Sequence, residues 1–278
     1  MLFLSPDLII DSGHFLLAER GKMKDLFLQV AEHAGYVLGF VAIIIAAFVI
    51  AIAFEKYAKK LSGDTDKILT TRKIVVIGIF SAIAVVLMFF EFSVPFAPHF
   101  YKIGFSDLPA LVGGFAFGPV AGVMIEFVKI LLNLLFQGTS TAFVGELANF
   151  LIGCSYILPG SVFYLFKKNK KTAIISCVLG TLVMTVFGCL FNAFYLLPAY
   201  ALLYGGIPVS SLIEAGTDVN SHITNMFTFV VLAVAPLNLL KGTLVSVVTM
   251  LVYKPLSPII KFGQVSVNKK KNAIADND

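Results

Sequence analysis

The sequence predicts an all-α integral membrane protein, and three observations support that fold class. Of its 278 residues, 58% are hydrophobic and only 13% are charged, and the mean hydropathy of +0.92 is too high for a soluble domain of this size. Runs such as 35–54 and 173–190 are apolar on every face, whereas the strands of a membrane barrel would alternate apolar and polar residues. At about 20 residues per span, the chain has room for roughly six to eight spans and none for an attached ATPase domain.

The chain is predicted to begin with an extension and one additional transmembrane helix. Residues 1–34 carry three basic and five acidic groups among short apolar stretches, and we expect this extension to be extracellular. Residues 35–54 then form the additional helix. The segment 55–73 is polar and basic, so it is predicted to be a cytoplasmic linker and marks the clearest boundary in the chain.

Six further transmembrane helices are predicted to form one compact core over 74–258, which a basic cytoplasmic tail follows at 259–278. The predicted spans of this core lie near 74–92, 107–119, 120–137, 143–166, 172–197 and 225–253. The second span is short for a bilayer and rich in Gly and Pro, with the sequence DLPALVGGFAFGP. Because an interrupted helix at membrane depth persists only where protein or a cavity covers it, this segment is predicted to serve function.

The orientation of the core follows from its basic residues. Fifteen of the 21 Lys and Arg residues lie in 55–73, in 167–171 or from Lys254 onward, which alternating spans place on one side of the membrane. Only Lys102 lies in the loops of the opposite side. Since basic loops are retained in the cytoplasm, both ends of the core are predicted to be cytoplasmic. The outward-facing loops are then 93–106, 138–142 and 198–224.

Ionisable side chains inside the spans need partners, because a charge in hydrocarbon is costly. The ionisable residues inside the predicted spans that we consider are Glu126, Lys129, Glu146 and Lys241. Glu126 and Lys129 lie three apart on one helix face and Glu146 begins the next span, so we expect a charge network that ties these two helices together. A proton relay would use similar residues, although it normally needs a carboxylate without a permanent cation one helical turn away. Both interpretations stay open at this point.

Three polar residues of the last two spans are predicted to bind a ligand. In the stretch PLNLLKG, Asn238 and Lys241 lie three apart on one face, and Asn192 lies near the outer end of the preceding span. An amide offers a donor and an acceptor, which matches the N–H and C=O edge of a pyrimidine-like ring, and an ammonium adds a charged donor. Hydrogen bonding between helices would explain the asparagines alone, but a buried ammonium gains too little from packing to offset its desolvation. The lysine therefore favours a ligand-binding role.

The sequence offers aromatic surfaces for a flat ligand but no catalytic or metal-binding set. It contains 27 Phe and nine Tyr, although lipid-facing packing accounts for most phenylalanines in a membrane protein. It has no nucleotide-binding, zinc-protease or Ser/His/Asp pattern, its four histidines are scattered, and its three cysteines lie in apolar segments without metal-ligand spacing. The chain is therefore predicted not to be an enzyme and to hold no metal. Its net charge of +5 reflects orientation in the membrane and predicts no nucleic-acid partner.

Several separated motifs closely resemble one transporter family. They are FYKIGFSDLPALVGGFAFGPVAGVMIEFVKILLNLLFQG, GELANFLIG, FNAFYLLPAY and APLNLLKGTLVSVVTMLVYKPLSP, in this order between residues 74 and 258. Together they resemble the riboflavin-specific substrate-binding component, or S component, of energy-coupling factor (ECF) transporters. The resemblance implies a six-helix protein of a prokaryotic cell membrane that binds riboflavin from outside as a transported substrate and uses no cofactor. It also implies docking on a transmembrane coupling (T) subunit that carries two ATPase (A) subunits.

The resemblance further implies roles for particular residues. Asn192, Asn238 and Lys241 match positions that hydrogen-bond the isoalloxazine ring, in agreement with the role predicted from their chemistry. The Lys241 ammonium is accordingly expected at the ring edge rather than in a structural ion pair. The segment that approaches the ribityl chain is matched by the loop residues Phe105, Ser106 and Asp107.

In the family that these motifs resemble, the first core helix offers small residues to the coupling subunit, so the resemblance implies a docking face on this helix. Small side chains let helices approach closely. Within GIFSAIA, this docking face consists of Gly78, Ser81, Ala82 and Ala84. Two features depart from the family's pattern, namely residues 1–60 and a long outer loop at 199–224, and the sequence assigns neither a role. A self-sufficient secondary transporter of a flavin or another small aromatic vitamin is the alternative, but no coupling-ion site and no internal repeat are apparent.

Overall fold

The computed structural model describes residues 34–62, 67–139, 143–203 and 206–253, together with Pro255, and within them the protein is largely helical. Six described helices are long and apolar enough to cross a membrane, and their spans are Val41–Leu61, Thr71–Met88, Pro119–Gln137, Val144–Phe166, Lys170–Leu202 and Met226–Tyr253. A further apolar helix, Leu108–Phe117, is shorter. The predicted all-α membrane fold is confirmed. Residues 1–33 of the predicted extension and the predicted tail at 259–278 lie outside the described residues.

The helices in chain order are α1 (Ala34–Ser62), α2 (Thr71–Met88), α3 (Leu108–Phe117), α4 (Pro119–Gln137), α5 (Val144–Phe166), α6 (Lys170–Phe191), α7 (Leu197–Leu203), α8 (Val209–Thr217) and α9 (Met226–Tyr253). A π-helical turn, Asn192–Leu196, joins α6 to α7, and α9 contains a second one, Val230–Val234. Between α2 and α3, strand β1 (Phe92–Ser93) pairs with β2 (Lys102–Ile103) in an antiparallel hairpin. The chain divides into two compact units, residues 1–43 and 44–278, and the packing described below is that of the second.

The short helix α3 lies inside the core. Every residue from Pro109 to Ala116 is buried, and the helix packs against α2, α4 and α5. Two glycines permit this approach, because a Cβ at Gly113 would collide with Ile125 of α4 and one at Gly114 would collide with Ser161 of α5. The Gly- and Pro-rich segment is therefore covered by protein, which satisfies the condition for a short helix at membrane depth.

A second apolar cluster joins the hairpin to α7, α8 and α9. It includes Tyr101 beside β2, Leu212 of α8 and Phe229 of α9. Helix α8 fits closely because a Cβ at Gly216 would lie 2.7 Å from the ring of Phe229. The predicted long outer loop at 199–224 thus contains the end of α7 and all of α8, and α8 is packed onto the helices rather than extended into solvent.

Helix α1 continues through residues 55–62, which the sequence assigned to a polar linker. Glu55 is only 2% exposed, and its Oε2 accepts a hydrogen bond from the Val120 backbone N–H at 3.1 Å. Its Oε1 lies 3.3 Å from the ammonium of Lys73, which also donates to the Phe117 carbonyl at 2.9 Å. The helix passes the first charged residue because Glu, Lys and Ala are good helix formers and because tertiary contacts pair Glu55. The assignment of α1 as an additional transmembrane helix stays a prediction.

Candidate ligand-binding site

A pocket of about 110 Å³ lies where α5, α9, the hairpin and the π-helical turn after α6 converge. Its walls combine polar with aromatic side chains. The lining residues are Glu91, Phe100, Tyr101, Lys102, Gly145, Ala148, Asn149, Ile152, Asn192, Leu196, Tyr200, Leu237, Asn238 and Lys241. The fold thus brings together Asn192, Asn238 and Lys241, the three residues expected to hold a ring edge. Their contact with a ligand stays a prediction.

Asn192 is the first residue of the π-helical turn, and its side chain is fully buried. Its Nδ2 donates to the Gly188 carbonyl at 2.7 Å, and its Oδ1 accepts a hydrogen bond from the Tyr101 hydroxyl. Burial raises the pKa of the Tyr101 phenol well above its usual value, so this hydroxyl remains a neutral donor. The turn therefore fixes one amide of the pocket against the hairpin.

Asn238 is held at the point where α6 and α9 come close together. Its Nδ2 donates to the carbonyl of Val234, the last residue of the second π-helical turn, at 3.0 Å. On the facing helix, a Cβ at Gly188 would lie 2.6 Å from Asn238 Nδ2, so only glycine leaves room for the amide. The bond to Val234 uses one of the amide's two N–H donors, which leaves chemical capacity for a ligand.

Lys241 lines the pocket and also takes part in a buried ion pair. Its ammonium lies 2.8 Å from Oδ2 of Asp107, and the two side chains are 7% and 1% exposed. The expectation that this ammonium lies outside any structural ion pair is wrong. The physical reason is that Asp107, immediately before α3, comes to the same depth as Lys241 once α3 is buried between its neighbours.

Asp107 is shared by two lysines. Its Oδ1 accepts a hydrogen bond from Lys129 Nζ at 2.8 Å, and this ammonium lies 2.6 Å from Oε2 of Glu126. A charge network on α4 therefore exists, but its third member is Asp107 and not the predicted Glu146. The carboxylate of Glu146 accepts a hydrogen bond from Thr139 at 3.1 Å. On α5 it is Gly153 that faces Glu126, because a Cβ there would lie 2.7 Å from Glu126 Oε2.

The three loop residues expected near a ribityl chain lie behind the pocket rather than in its lining. Phe105 packs against the main apolar core. Ser106 is fully buried and donates to Oε1 of Glu91, a lining residue, at 2.8 Å. Asp107 is linked to the lining through its ion pair with Lys241 and through Ser106, whose hydroxyl lies 3.5 Å from Asp107 Oδ1. Their direct contact with a ligand stays a prediction.

Five polar lining residues were not predicted as site residues, namely Glu91, Tyr101, Lys102, Asn149 and Tyr200. A signal existed for Asn149, because it is a polar residue at helical spacing from Gly145 and Ile152 on one face of a predicted span. Glu91 comes directly before β1 and Tyr101 directly before β2, and they face the same pocket because these two strands pair. Two-residue strands of this kind leave no periodicity that a sequence could show.

The chemistry available to the pocket is hydrogen bonding, charge and aromatic contact. The ring centroid of Phe100 lies 4.7 Å from that of Tyr101 and 5.9 Å from that of Tyr200, so aromatic surface is concentrated on one wall. Among the residues that the structure describes, no three His, Cys, Asp or Glu side chains are grouped to hold a metal ion. The arrangement therefore suits the binding of a flat polar molecule.

The predicted docking face on α2 divides into exposed and buried residues. Gly78 and Ala82 are exposed, with nothing within 4 Å of a Cβ built at Gly78. Ser81 and Ala84 are fully buried, and Ser81 Oγ donates to the Ile77 carbonyl of its own helix. In this structure only Gly78 and Ala82 are accessible to another subunit, and their docking role stays a prediction.

Comparison with known proteins assigns the chain to a family. The family model described as ECF transporter, substrate-specific component, matches residues 72–253. The chain belongs to this family of ECF S components. The matched range contains every residue that lines the pocket and begins after the end of α1. Because S components are transport subunits, this S component is not an enzyme, and the family indicates no cofactor.

Individual relatives are similar over nearly their whole length. The riboflavin transporter RibU of Staphylococcus aureus (strain TCH60) is 35% identical over 190 residues, which cover 68% of this chain and 93% of the relative. The riboflavin transporter FmnP of Bacillus subtilis (strain 168) is 35% identical over 193 residues, or 68% and 94% of the two chains. A solved structure of the S component of a bacterial ECF transporter superimposes with a TM-score of 0.53 at 35% identity, covering 68% of this chain and 98% of that one.

Proposed function

We propose that this S component binds riboflavin from outside the cell and acts as the substrate-binding subunit of an ATP-driven ECF transporter in a prokaryotic cell membrane. The observation that carries the proposal is the convergence of Asn192, Asn238 and Lys241 in one pocket. Support comes from two relatives at 35% identity that are named riboflavin transporters. The same three residues suit a pyrimidine-like edge on chemical grounds alone.

Each of the three side chains has a group to offer the isoalloxazine ring. The ammonium of Lys241 is paired with Asp107 by charge at 2.8 Å, and because it has three N–H donors, one of them can reach a ring carbonyl. Asn238 has a second N–H and an oxygen beyond its bond to Val234. Asn192 is held by Tyr101 and Gly188, which fixes its amide plane before the ligand arrives and reduces the entropy lost on binding.

A three-ring ligand requires the pocket to widen. Its volume of about 110 Å³ is below the roughly 300 Å³ at the lower end of small-molecule sites. Phe100 and Lys102 of the hairpin loop are exposed, whereas Asn192, Asn238 and Lys241 are buried among the spans. We therefore expect the exposed side chains of Phe100 and Lys102 to move outward on binding, while Tyr101 keeps its hydrogen bond to Asn192 and the amides and the ammonium keep their places.

The transport cycle in this proposal depends on partner subunits. The chain has no nucleotide-binding motif, so a T subunit and two A subunits would supply the ATP-driven step. The exposed Gly78 and Ala82 form a shallow notch on α2 between exposed apolar residues such as Ile79 and Ile83. Close helix approach at such a notch suits docking by a helix of the T subunit.

Titration of the purified full chain in detergent tests the binding step. Riboflavin fluorescence should be quenched with a Kd in the nanomolar range, or about −12 kcal/mol, because a vitamin scavenger works at low concentration. Riboflavin phosphate, flavin adenine dinucleotide and lumichrome, which lacks the ribityl chain, are titrated in parallel to separate ring recognition from chain recognition. Neither quenching nor binding heat up to tens of micromolar riboflavin would remove riboflavin as the ligand.

A further inference from the structure

Two buried charges on α4, Glu126 and Lys129, lie behind the pocket and take no part in the proposed binding step. We propose that they are positioning residues that control how far the Lys241 ammonium is available to the ligand, acting through the shared carboxylate of Asp107. The inference rests on the proposed function, since it concerns the regulation of the same pocket.

The four charges form a continuous chain of contacts. Glu126 Oε2 lies 2.6 Å from Lys129 Nζ, which lies 2.8 Å from one oxygen of Asp107. The other oxygen of Asp107 lies 2.8 Å from Lys241 Nζ. Of these residues only Lys241 lines the pocket, so Glu126 and Lys129 act on the ligand solely through their neighbours.

The cluster sets the two carboxylates of Glu126 and Asp107 against the two ammonium groups of Lys129 and Lys241. All four side chains are between 0% and 7% exposed, and interactions between charges are strong where solvent cannot screen them. Glu126 and Asp107 compete for the ammonium of Lys129. When Lys129 neutralises Asp107 less, Asp107 attracts the Lys241 ammonium more strongly. The hydrogen bond from Lys241 to a ligand then becomes weaker.

Glu126 is an unusual residue to keep for packing alone. Neither of its carboxylate oxygens has a hydrogen-bond partner among the described residues, Oε2 being held by the ion pair with Lys129, and the facing position on α5 is a glycine that leaves space for the carboxylate. Well-packed apolar residues are often as stable as a buried ion pair, or more stable. A role in setting the charge of the cluster accounts for a carboxylate here, whereas a role in joining helices does not require one.

The proposal gives opposite signs for the two residues. In the proposed complex Lys241 donates to a ligand acceptor, so a more positive cluster strengthens the bond and a more negative one weakens it. Glu126→Gln removes the carboxylate that competes with Asp107 for the Lys129 ammonium. Lys129 then neutralises Asp107 more fully, and the attraction of Asp107 for the Lys241 ammonium becomes weaker. Lys129→Met removes one of the two ammonium groups. The Lys241 ammonium is then the one cation of the cluster facing Asp107 and Glu126, and their attraction draws it away from the pocket. The double variant restores the charge balance between Asp107 and Lys241.

The test measures the riboflavin Kd of the full chain by fluorescence titration, with a thermal melt for each variant. Glu126→Gln should bind at least about threefold more tightly, and Lys129→Met at least about tenfold more weakly, as expected for coupled buried charges. The double variant should return to within about threefold of the parent. Lys171→Met, which removes an exposed lysine in the first turn of α6, serves as the control and should leave the Kd unchanged. A role limited to holding helices together would move the melting temperature but would not move the Kd in opposite directions.

Each outcome decides the question. If either single variant folds and lacks its predicted sign, or if the double variant stays as weak as Lys129→Met, the positioning role is refuted. If Lys129→Met does not fold, Glu126→Gln decides alone, because replacement of a carboxylate by an amide preserves its shape. A parent protein that binds no riboflavin refutes the proposed function together with this inference, whereas normal parental binding with unmoved variants refutes the inference alone.

Discussion

Replacement of Lys241 by methionine is the most direct test of the proposed site. Methionine fills much of the volume of the lysine stem and removes the ammonium, which lines the pocket and lies 2.8 Å from Asp107. The lost interaction with the ligand is a hydrogen bond from a charged donor, worth about 1.5–3 kcal/mol. Riboflavin binding should therefore weaken by about 10- to 150-fold.

The fold should survive this change. Asp107 keeps the ammonium of Lys129 at 2.8 Å, so its buried carboxylate retains one counter-ion. The cost to the free energy of unfolding should consequently stay below the roughly 3–5 kcal/mol seen when a buried pair loses its only partner. A loss of affinity can then be separated from a loss of structure.

The assay combines riboflavin fluorescence titration with a thermal melt followed by far-UV circular dichroism. The chain contains no Trp, so the flavin signal carries no overlap from tryptophan emission, and circular dichroism reports the helices directly. Lys171→Met is the control, because Lys171 is exposed in the first turn of α6 and does not line the pocket, and it should leave the riboflavin Kd unchanged. A Lys241→Met protein that melts like a folded membrane protein and binds riboflavin within about twofold of the parent would refute the assignment of the ring edge to Lys241.

Three further predictions follow from the same contacts. Asn238→Ala should weaken riboflavin binding by about 0.5–1.5 kcal/mol, since it removes neutral hydrogen bonds, and calorimetry that shows no change would exclude Asn238 from the site. Glu55→Ala should lower the melting temperature of the full chain, because it leaves the Val120 N–H without its buried acceptor and Lys73 without its counter-ion, while the riboflavin Kd stays constant; an unchanged melt would mean that this contact contributes nothing. Liposomes that contain this chain alone should not accumulate riboflavin under a sodium or proton gradient, and concentrative uptake there would favour the secondary-transporter alternative.

The sequence by itself determined the class of the fold, the approximate spans and the three polar residues that meet in the pocket. These properties are local. The mean hydropathy of a segment depends only on the residues of that segment, so it identifies a span without knowledge of the fold. An amide or an ammonium inside an apolar segment can likewise be recognised wherever that segment lies in space. The unusual position of the short Gly- and Pro-rich helix could be predicted in the same way, since a span too short for the bilayer must be covered by protein.

Only the tertiary structure decided which charged and polar groups are partners. Tyr101 donates to Asn192 across 91 positions of the chain, and Glu55 accepts from the Val120 backbone across 65. Asp107, and not the predicted Glu146, is the third member of the network with Glu126 and Lys129, and it also pairs with Lys241. Such pairings depend on the depth and rotation of each helix, which the burial of whole apolar faces sets. A single sequence shows that a charge in a span needs a partner, but the packing of α3 between α2, α4 and α5 selects the partner.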